Sequence, residues 1–238
     1  MIVGIFAEGR GDLAVITNIL KGTLNIDRSD IKPKLPEYDY DQTDLSVMPK
    51  EQHSSWTVVK TECQERKKID AFFDNPIEQE SFIVLHLDTA ERHLEGYGVL
   101  EPVKNGSLNS EEYCSHLRSN AINKVDEWLA NSHQGKIAYA IAIEETDAWV
   151  STIYSNENTD TSSHLRPKER LNNELNRLLR ENQKGILKAK AFEKYDWLSS
   201  DFRKKKKLLA CAAKNASLKL FCQSLEAFKP VIEIPEST

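Results

Sequence analysis

Acidic residues follow three apolar segments of this 238-residue sequence, and carboxylates in such an arrangement can bind a divalent cation. Several carboxylates at one place repel one another unless a cation neutralises them, and Mg²⁺ takes such oxygen ligands together with water and substrate phosphates. A single acid has an ordinary explanation, because Asp and Glu stabilise the first turn of a helix. Acids at three strand ends together favour a metal site. In chain order they are Glu8 and Asp12, then Asp88 and Glu91, then Glu144, Glu145 and Asp147.

The apolar segments beside these acids are typical of buried strands. They cover residues 2–7, 81–88 and 136–145, and each is short, apolar and partly β-branched. Helical patterns separate them, and the alternation of strand and helix is typical of a parallel sheet. In such a sheet the carboxyl ends of the strands share one edge, where open α/β sheets bind their ligands. We therefore predict an α/β fold with a mostly parallel, Rossmann-like sheet, and we expect the acids to converge on that edge.

The segments between the strands are less uniform. Apolar residues at helical spacing follow Gly11, and Gly22 is the expected helix stop. The segment NSEEYCSHLRSNAINKVDEWLA predicts a helix that begins with a capping box at Asn109 or Ser110. Residues 27–55 are polar and rich in Pro, Asp and Lys, which predicts a loop, and the segment SWTVVKTE that follows is compatible with a strand.

The first turn, AEGRGDLA, also fits a dinucleotide-binding pattern. Gly9, Gly11 and Ala14 have the spacing G-x-G-x-x-A between a strand and a helix. A pyrophosphate needs bare backbone N–H groups and positive potential at the helix start, whereas Glu8 and Asp12 put negative charge on both sides of this turn. We therefore favour a metal over a dinucleotide here, and tight binding of NAD without Mg²⁺ would support the alternative.

The sequence after residue 154 differs from the part before it. Residues 155–164 are a polar connector, and the residues beyond have helical patterns throughout. We predict an α/β core over residues 1–154 and a helical C-terminal part over residues 165–238. A basic segment in this second part could hold a nucleic-acid backbone without reading its sequence, although such runs are commonly solvated surface. The basic segment consists of Arg203, Lys204, Lys205, Lys206 and Lys207.

The composition sets limits on the class of protein. The net charge of −5 argues against unspecific coating of nucleic acid and is compatible with a local basic face. The four cysteines form no C-x-x-C pair and no zinc-finger spacing, so we expect reduced thiols. No apolar run approaches the ~20 residues of a membrane span, and the first residues lack the basic start of a signal peptide. We expect a cytoplasmic protein without a membrane partner.

Four separated segments resemble a known family. FAEGRGDLAVITNIL is similar to the first motif of the TOPRIM fold, a strand followed by E-G-x-x-D and a helix, and FIVLHLDTAE is similar to the second, a strand ending in an acidic cluster. KIAYAIAIEETDAWV resembles the strand ending in E-E-x-E-A-W of TOPRIM-like proteins encoded beside ABC-type ATPases in bacterial anti-phage defence loci. NASLKLFCQSLEAF resembles the C-terminal helix of that family. The order and spacing of the four segments make the resemblance more specific than any one of them.

The resemblance implies a TOPRIM-like core with a Mg²⁺-dependent or Mn²⁺-dependent centre that cuts or joins nucleic acid, as in topoisomerases, primases and overcoming-lysogenization-defect nucleases. Glu8 would be the general acid or base or a metal ligand, Asp12 would be its neighbour on the first helical turn, and Asp88 would be the principal metal ligand. The chain departs from the family where the usual second motif is D-x-D, because Ala90 stands at the second acid. Glu91 is the residue that could substitute for it.

A second metal position would need more carboxylates, and Glu144 and Glu145 could supply them. Neighbouring residues of a strand point to opposite faces, so only one of this pair is expected to face the site. His86 and His93 lie near Asp88 and Glu91 and could assist a proton transfer, but neither has a known ligand spacing, and ordinary packing or surface placement is the simpler explanation.

The function that the resemblance implies is a nuclease that hydrolyses phosphodiester bonds in DNA or RNA. It would be a toxic effector of a bacterial anti-phage defence system, controlled by an ATPase partner. The alternative is a catalytically silent TOPRIM-like module that docks onto an ABC-type ATPase or senses a phage product, and Ala90 is the feature that motivates it.

Overall fold

The computed structural model of the protein describes residues 1–36, 55–75, 81–102, 108–156, 158–162 and 165–229. Its central element is a four-stranded sheet in the order β2-β1-β3-β4, and every neighbouring pair of strands is parallel. The predicted α/β class with a parallel sheet is therefore confirmed. The strands are β1 (Ile2–Phe6), β2 (Ile31–Leu35), β3 (Ser81–Asp88) and β4 (Ile137–Ala142).

Helices cover both faces of this sheet, and the described residues from 165 to 229 are mainly helical, as the sequence predicts. Within the part of the chain that the structure describes, no helix has the length and apolar character needed to cross a membrane. The helices are α1 (Arg10–Leu24), α2 (Ser55–Glu65), α3 (Lys67–Phe73), α4 (Ser110–Trp128), α5 (Asp147–Tyr154), α6 (Pro167–Leu178), α7 (Ala191–Leu198), α8 (Lys205–Ala212) and α9 (Ala216–Leu225).

The buried side chains form two clusters, one on each face of the sheet. The first contains side chains of α1 and α5 to α9, and the second contains side chains of α2, α3 and α4. Strand residues alternate between them: Phe82 and Val84 belong to the first cluster and Ile83 to the second. His86 and Asp88 continue the series of Phe82 and Val84. They therefore lie on the α1 face, where the C-terminal helices also pack.

The C-terminal helices pack directly on β4 and α5. Alanines on the first face of β4 leave room for large side chains, and Trp149 of α5 stacks on Phe221 of α9 with ring centroids 5.7 Å apart. The indole Nε1 of Trp149 donates a hydrogen bond of 2.7 Å to Ser217 Oγ. Two of the four segments that resemble the TOPRIM-like family thus meet in space. Residues of the predicted core (1–154) and of the predicted helical part (165–238) share this first cluster.

Three local predictions differ from the structure. The segment SWTVVKTE is part of helix α2, not a strand, because Trp56, Val59 and Cys63 recur at helical spacing and are buried together. The predicted loop at 27–55 contains β2, while residues 37–54 lie outside the described part. Helix α1 continues through Gly22 and ends at Leu24. This glycine is required because an added Cβ would lie 1.9 Å from the carbonyl oxygen of Phe202.

Candidate metal centre

The acidic residues lie at the point where the order of the strands reverses. The chain passes from β1 to β2 on one side and then returns to β3 on the other side of β1. In a parallel sheet this reversal opens a crevice between the carboxyl ends of the two central strands. Glu8 follows β1 and Asp88 is the last residue of β3, so these two residues border the crevice.

Glu8 and Asp88 are held together by the end of β3. The backbone N–H of Asp88 donates to Glu8 Oε1 at 2.7 Å, and Tyr97 donates its hydroxyl hydrogen to the carbonyl oxygen of Asp88. The carboxylate of Asp88 accepts two further hydrogen bonds at Oδ1, from the backbone N–H of Thr146 at 3.0 Å and from its hydroxyl at 3.1 Å. The orientation of Asp88 is therefore fixed by both neighbouring loops.

Asp12, His86 and Asp88 form a cluster in which one ligand atom of each lies within 4.8 Å of the others. Asp12 is on the first turn of α1, and Gly9 precedes that helix in an extended conformation. A Cβ at Gly9 would lie 2.9 Å from Asp12 Oδ2, so the glycine leaves room for this carboxylate. Two carboxylates and an imidazole are donors that suit a divalent cation. Such a cluster could hold a metal ion without specifying which one.

His86 is fully buried beside Asp88. Its Nε2 lies 2.9 Å from Thr146 Oγ1 and 3.3 Å from Asp88 Oδ1. The Thr146 hydroxyl donates its only hydrogen to the carboxylate, so it can only accept a hydrogen bond from His86. We therefore assign a hydrogen to His86 Nε2. The imidazole and the threonine thus both direct hydrogens toward Asp88. His86 is therefore packed in the interior and also belongs to the acidic cluster.

The cluster perturbs the pKa values of its members. Burial raises the pKa of Asp88, and the negative charge of Asp12 raises it further. Burial alone would lower the pKa of His86, but the carboxylates of Asp12, Asp88 and Glu8 outweigh that effect and raise it. The cluster therefore holds protons more strongly than its separate groups would. This is the behaviour expected where carboxylates are crowded, and a bound cation would relieve it.

The other predicted acids have different neighbours. Glu91 is exposed in the loop after β3. Glu144 is paired with Arg92, whose guanidinium nitrogen lies 2.9 Å from its Oε1. Glu145 accepts a hydrogen bond from the backbone N–H of Lys168 at 3.3 Å. The structure therefore brings Glu8, Asp12 and Asp88 together, but it does not add Glu91 or Glu144 to their cluster. His93 is exposed in the same loop as Glu91.

The predicted basic segment lies away from the acids. Arg203 donates to Asn18 Oδ1 at 2.7 Å and to Asp196 Oδ1 at 2.6 Å, and Lys205 lines a cavity of about 280 Å³ with Gly22. Gly22 is ten residues beyond Asp12 on α1, which corresponds to about 15 Å along the helix axis. A nucleic acid that touched both places would have to run along α1. The remaining members, Lys204, Lys206 and Lys207, are exposed.

Two further residues at this site, Thr146 and Tyr195, carry no sequence signal strong enough to select them. They lie beside Asp147, which the sequence shows among the acids of the third strand end. Asp147 begins α5, and the hydroxyl of Tyr195 donates to its Oδ1 at 2.6 Å. Burial raises the pKa of Asp147 to about 6, and the charges of Glu145 and Asp12 add to that effect, although the hydrogen bond from Tyr195 opposes it. The acid after β4 is visible in the sequence, but its tyrosine partner lies 48 residues away.

Tyr195 also bears on the dinucleotide alternative. A Cβ at Gly11 would lie 2.9 Å from the Tyr195 ring, so this ring fills the space beside the second glycine of G-x-G-x-x-A. Carboxylates surround the same turn. Both features disfavour a pyrophosphate at this position. Comparison of the chain with known protein families, with curated proteins and with solved structures found no match.

Proposed function

We propose that this protein is a metal-dependent nuclease of the TOPRIM-like type, which hydrolyses phosphodiester bonds in DNA or RNA with Mg²⁺ or Mn²⁺. The observation that carries the proposal is the convergence of Glu8, Asp12 and Asp88 at the strand reversal of a parallel sheet. Phosphoryl-transfer centres need clustered carboxylates to hold cations against the negative charge of the phosphate. The raised pKa of Asp88 and the donor set of the cluster fit such a cation.

Each side chain at the proposed metal centre has its own role. Asp12 and Asp88 would hold the ion, which when bound neutralises charge on the phosphate and acidifies a water molecule. Thr146 fixes the orientation of Asp88 through its two hydrogen bonds. Glu8 is anchored at Oε1 by the backbone of Asp88, and its carboxylate would both help to hold the ion and accept or return the proton. The exposed lysines of the basic segment would hold the nucleic-acid backbone by charge alone.

The biological setting of the proposal rests on the resemblance of the four sequence segments. A toxic nuclease in an anti-phage defence locus must be restrained until infection, and an ABC-type ATPase partner would provide that control. The contact between Trp149 and Ser217 supports the resemblance, because it joins two of those segments through one buried hydrogen bond.

A silent docking or sensing module is the second candidate, and one observation favours it. His86 is buried among the acids with its pKa raised, so a protonated imidazole can neutralise part of their charge without any metal. Ala90 lies where the family has its second acid, and its backbone N–H donates to the carbonyl oxygen of Glu144 at 3.0 Å. In this case the same cluster would stabilise a folded but inactive site.

Isothermal titration of Mg²⁺ and Mn²⁺ into the wild type and into Glu8→Gln tests the nuclease proposal. The matched control is Glu62→Gln, because Glu62 is also a carboxylate that accepts backbone N–H bonds, from Lys68 at 2.7 Å and from Ile69 at 3.0 Å, but it belongs to α2 and caps the start of α3. We expect saturable binding in the wild type and in Glu62→Gln, and weaker binding in Glu8→Gln. Cleavage of plasmid DNA and of RNA is then measured with the same three proteins.

Phage protection separates the two candidates. For a nuclease, Glu8→Gln abolishes protection while the variant still folds and still binds the partner. Unchanged protection by Glu8→Gln, or absence of ion binding by the wild type, would instead favour the silent module.

A further inference from the structure

The proposed metal centre lacks one carboxylate of the D-x-D pattern, because Ala90 takes the position of its second acid. The nearest acids in sequence do not fill it. Glu91 is exposed, Glu144 is paired with Arg92 at 2.9 Å, and Glu145 accepts from the backbone of Lys168. A further carboxylate for the metal centre therefore has to be a residue other than these three.

Asp147 is adjacent to the cluster through its neighbour in the chain. Thr146 donates both its backbone N–H and its hydroxyl to Asp88 Oδ1, so the first residue of α5 follows directly on a residue in contact with the proposed ligand. The negative charge of Asp147 acts on Asp88, and that of Asp12 acts on Asp147. Asp147 is not one of the three residues whose ligand atoms lie within 4.8 Å of one another, but its charge interacts with those of both proposed ligands.

Tyr195 fixes Asp147 from the C-terminal helices. Its hydroxyl donates to Asp147 Oδ1 at 2.6 Å. Its ring lies against Gly11, where an added Cβ would be 2.9 Å away, and Gly11 directly precedes Asp12. One side chain of α7 therefore contacts the first turn of α1 and the first turn of α5, which carry the two acids. A carboxylate has two oxygens, so a bond to Oδ1 sets the plane of the group and leaves its second oxygen as a possible ligand.

We infer that Asp147 supplies the additional carboxylate of the metal centre and that Tyr195 is its positioning residue, an assignment that rests on the proposed nuclease function. The helical C-terminal part would then contribute to the site itself. Because partners that orient a ligand commonly change metal affinity by about 10-fold to 100-fold, the tyrosine hydroxyl has a measurable effect.

The test uses the full chain, Mn²⁺ as the probe and three variants. Asp147→Asn keeps the acceptor for Tyr195 but removes the charge. Tyr195→Phe keeps the ring against Gly11 but removes the hydroxyl. The control is Tyr154→Phe, because Tyr154 also joins α5 to α7, but its hydroxyl donates to the carbonyl oxygen of Leu198, at 2.9 Å, instead of to a carboxylate. Affinity is measured by isothermal titration, the Mn²⁺ environment by electron paramagnetic resonance, and folding by thermal unfolding.

We expect Asp147→Asn and Tyr195→Phe each to weaken Mn²⁺ binding by about 10-fold or more and to change the resonance spectrum. Tyr154→Phe should bind within about twofold of the wild type although it loses a similar hydrogen bond. Wild-type affinity in Asp147→Asn or Tyr195→Phe overturns the inference, and so does an equal loss in Tyr154→Phe, which would indicate a merely structural role. If Glu8→Gln loses binding while these two variants retain it, the nuclease proposal stands and only this inference falls. A wild type that binds no ion removes the support for both.

Discussion

Replacement of Ser217 by alanine should destabilise the protein, because the buried hydroxyl of Ser217 is lost together with its hydrogen bonds. Its Oγ accepts from Trp149 Nε1 at 2.7 Å and from the backbone N–H of Ile143 at 3.5 Å, and it donates to Asn215 Oδ1 at 3.0 Å. Among the described residues no other acceptor for this indole is observed. Alanine would leave a buried donor without a partner, which costs about 1–3 kcal/mol. For a chain of this length that loss lowers the melting temperature by about 2–12 °C.

Urea denaturation and thermal unfolding measure this effect, with Ser119→Ala as the control. Ser119 is also a serine within a helix, but it is exposed, and its hydroxyl bonds to the carbonyl oxygen of Ser115 on the same helix at 2.9 Å. Alanine favours a helix by a few tenths of a kcal/mol over serine, so the control should be as stable as the wild type or slightly more stable. A free energy of unfolding for Ser217→Ala within about 0.5 kcal/mol of the wild type would refute the reasoning.

Three further outcomes follow from the structure. Gly22→Ala should lower the melting temperature, because overpacking against the backbone of Phe202 costs about 1–3 kcal/mol or more. The control Gly185→Ala should not lower it, because a Cβ at Gly185 meets no atom within 4 Å. A higher melting temperature for Gly22→Ala would contradict this prediction. Mg²⁺ at about 100 times its dissociation constant should stabilise the wild type by about 2.7 kcal/mol, and thermal scans of Asp12→Asn should show no such gain. Lys205→Gln with Lys206→Gln should reduce the salt dependence of DNA binding by about two in slope and leave Mn²⁺ affinity unchanged, and an unchanged slope would exclude the basic segment as a phosphate contact.

The sequence predicts β1, β3 and β4, which are apolar on both faces, but it does not predict β2. β1, β3 and β4 are short apolar runs, as expected for strands covered by helices on both sides. β2 has the sequence IKPKL, whose proline and lysines indicate a loop. It is nevertheless a strand, at the edge of the described sheet, and a proline is tolerated in an edge strand because such a strand pairs on one side only.

For helix α2 the local sequence favours a strand, but the structure has a helix. Thr57, Val58 and Val59 are β-branched and favour a strand locally. Trp56, Val59 and Cys63 nevertheless pack as one face of a helix on the sheet, and burial of that face outweighs the local preference. Propensity alone therefore gives the wrong element where tertiary packing decides.

The candidate site is predictable to the extent that it depends on sheet topology. Glu8, Asp12 and Asp88 follow from the rule that parallel strands share a carboxyl edge. The position of the Glu144 side chain does not follow from this rule, because it forms an ion pair with Arg92, which is 52 positions away in the sequence. Tyr195 is equally hidden, since no local pattern around it indicates that its hydroxyl reaches an acid on another helix. Partners of this kind become visible only when the helices are packed.

The short helix α5 connects the acidic site to the C-terminal helices. It has eight residues, and a helix of that length is not stable alone, so its position is set by tertiary contacts. Thr146 at its start holds Asp88, Asp147 is held by Tyr195, and Trp149 is held by Ser217. Two of these three anchors come from the part of the chain after residue 165. The position of α5, and of the carboxylate of Asp147 at its first turn, therefore depends on α7 and α9.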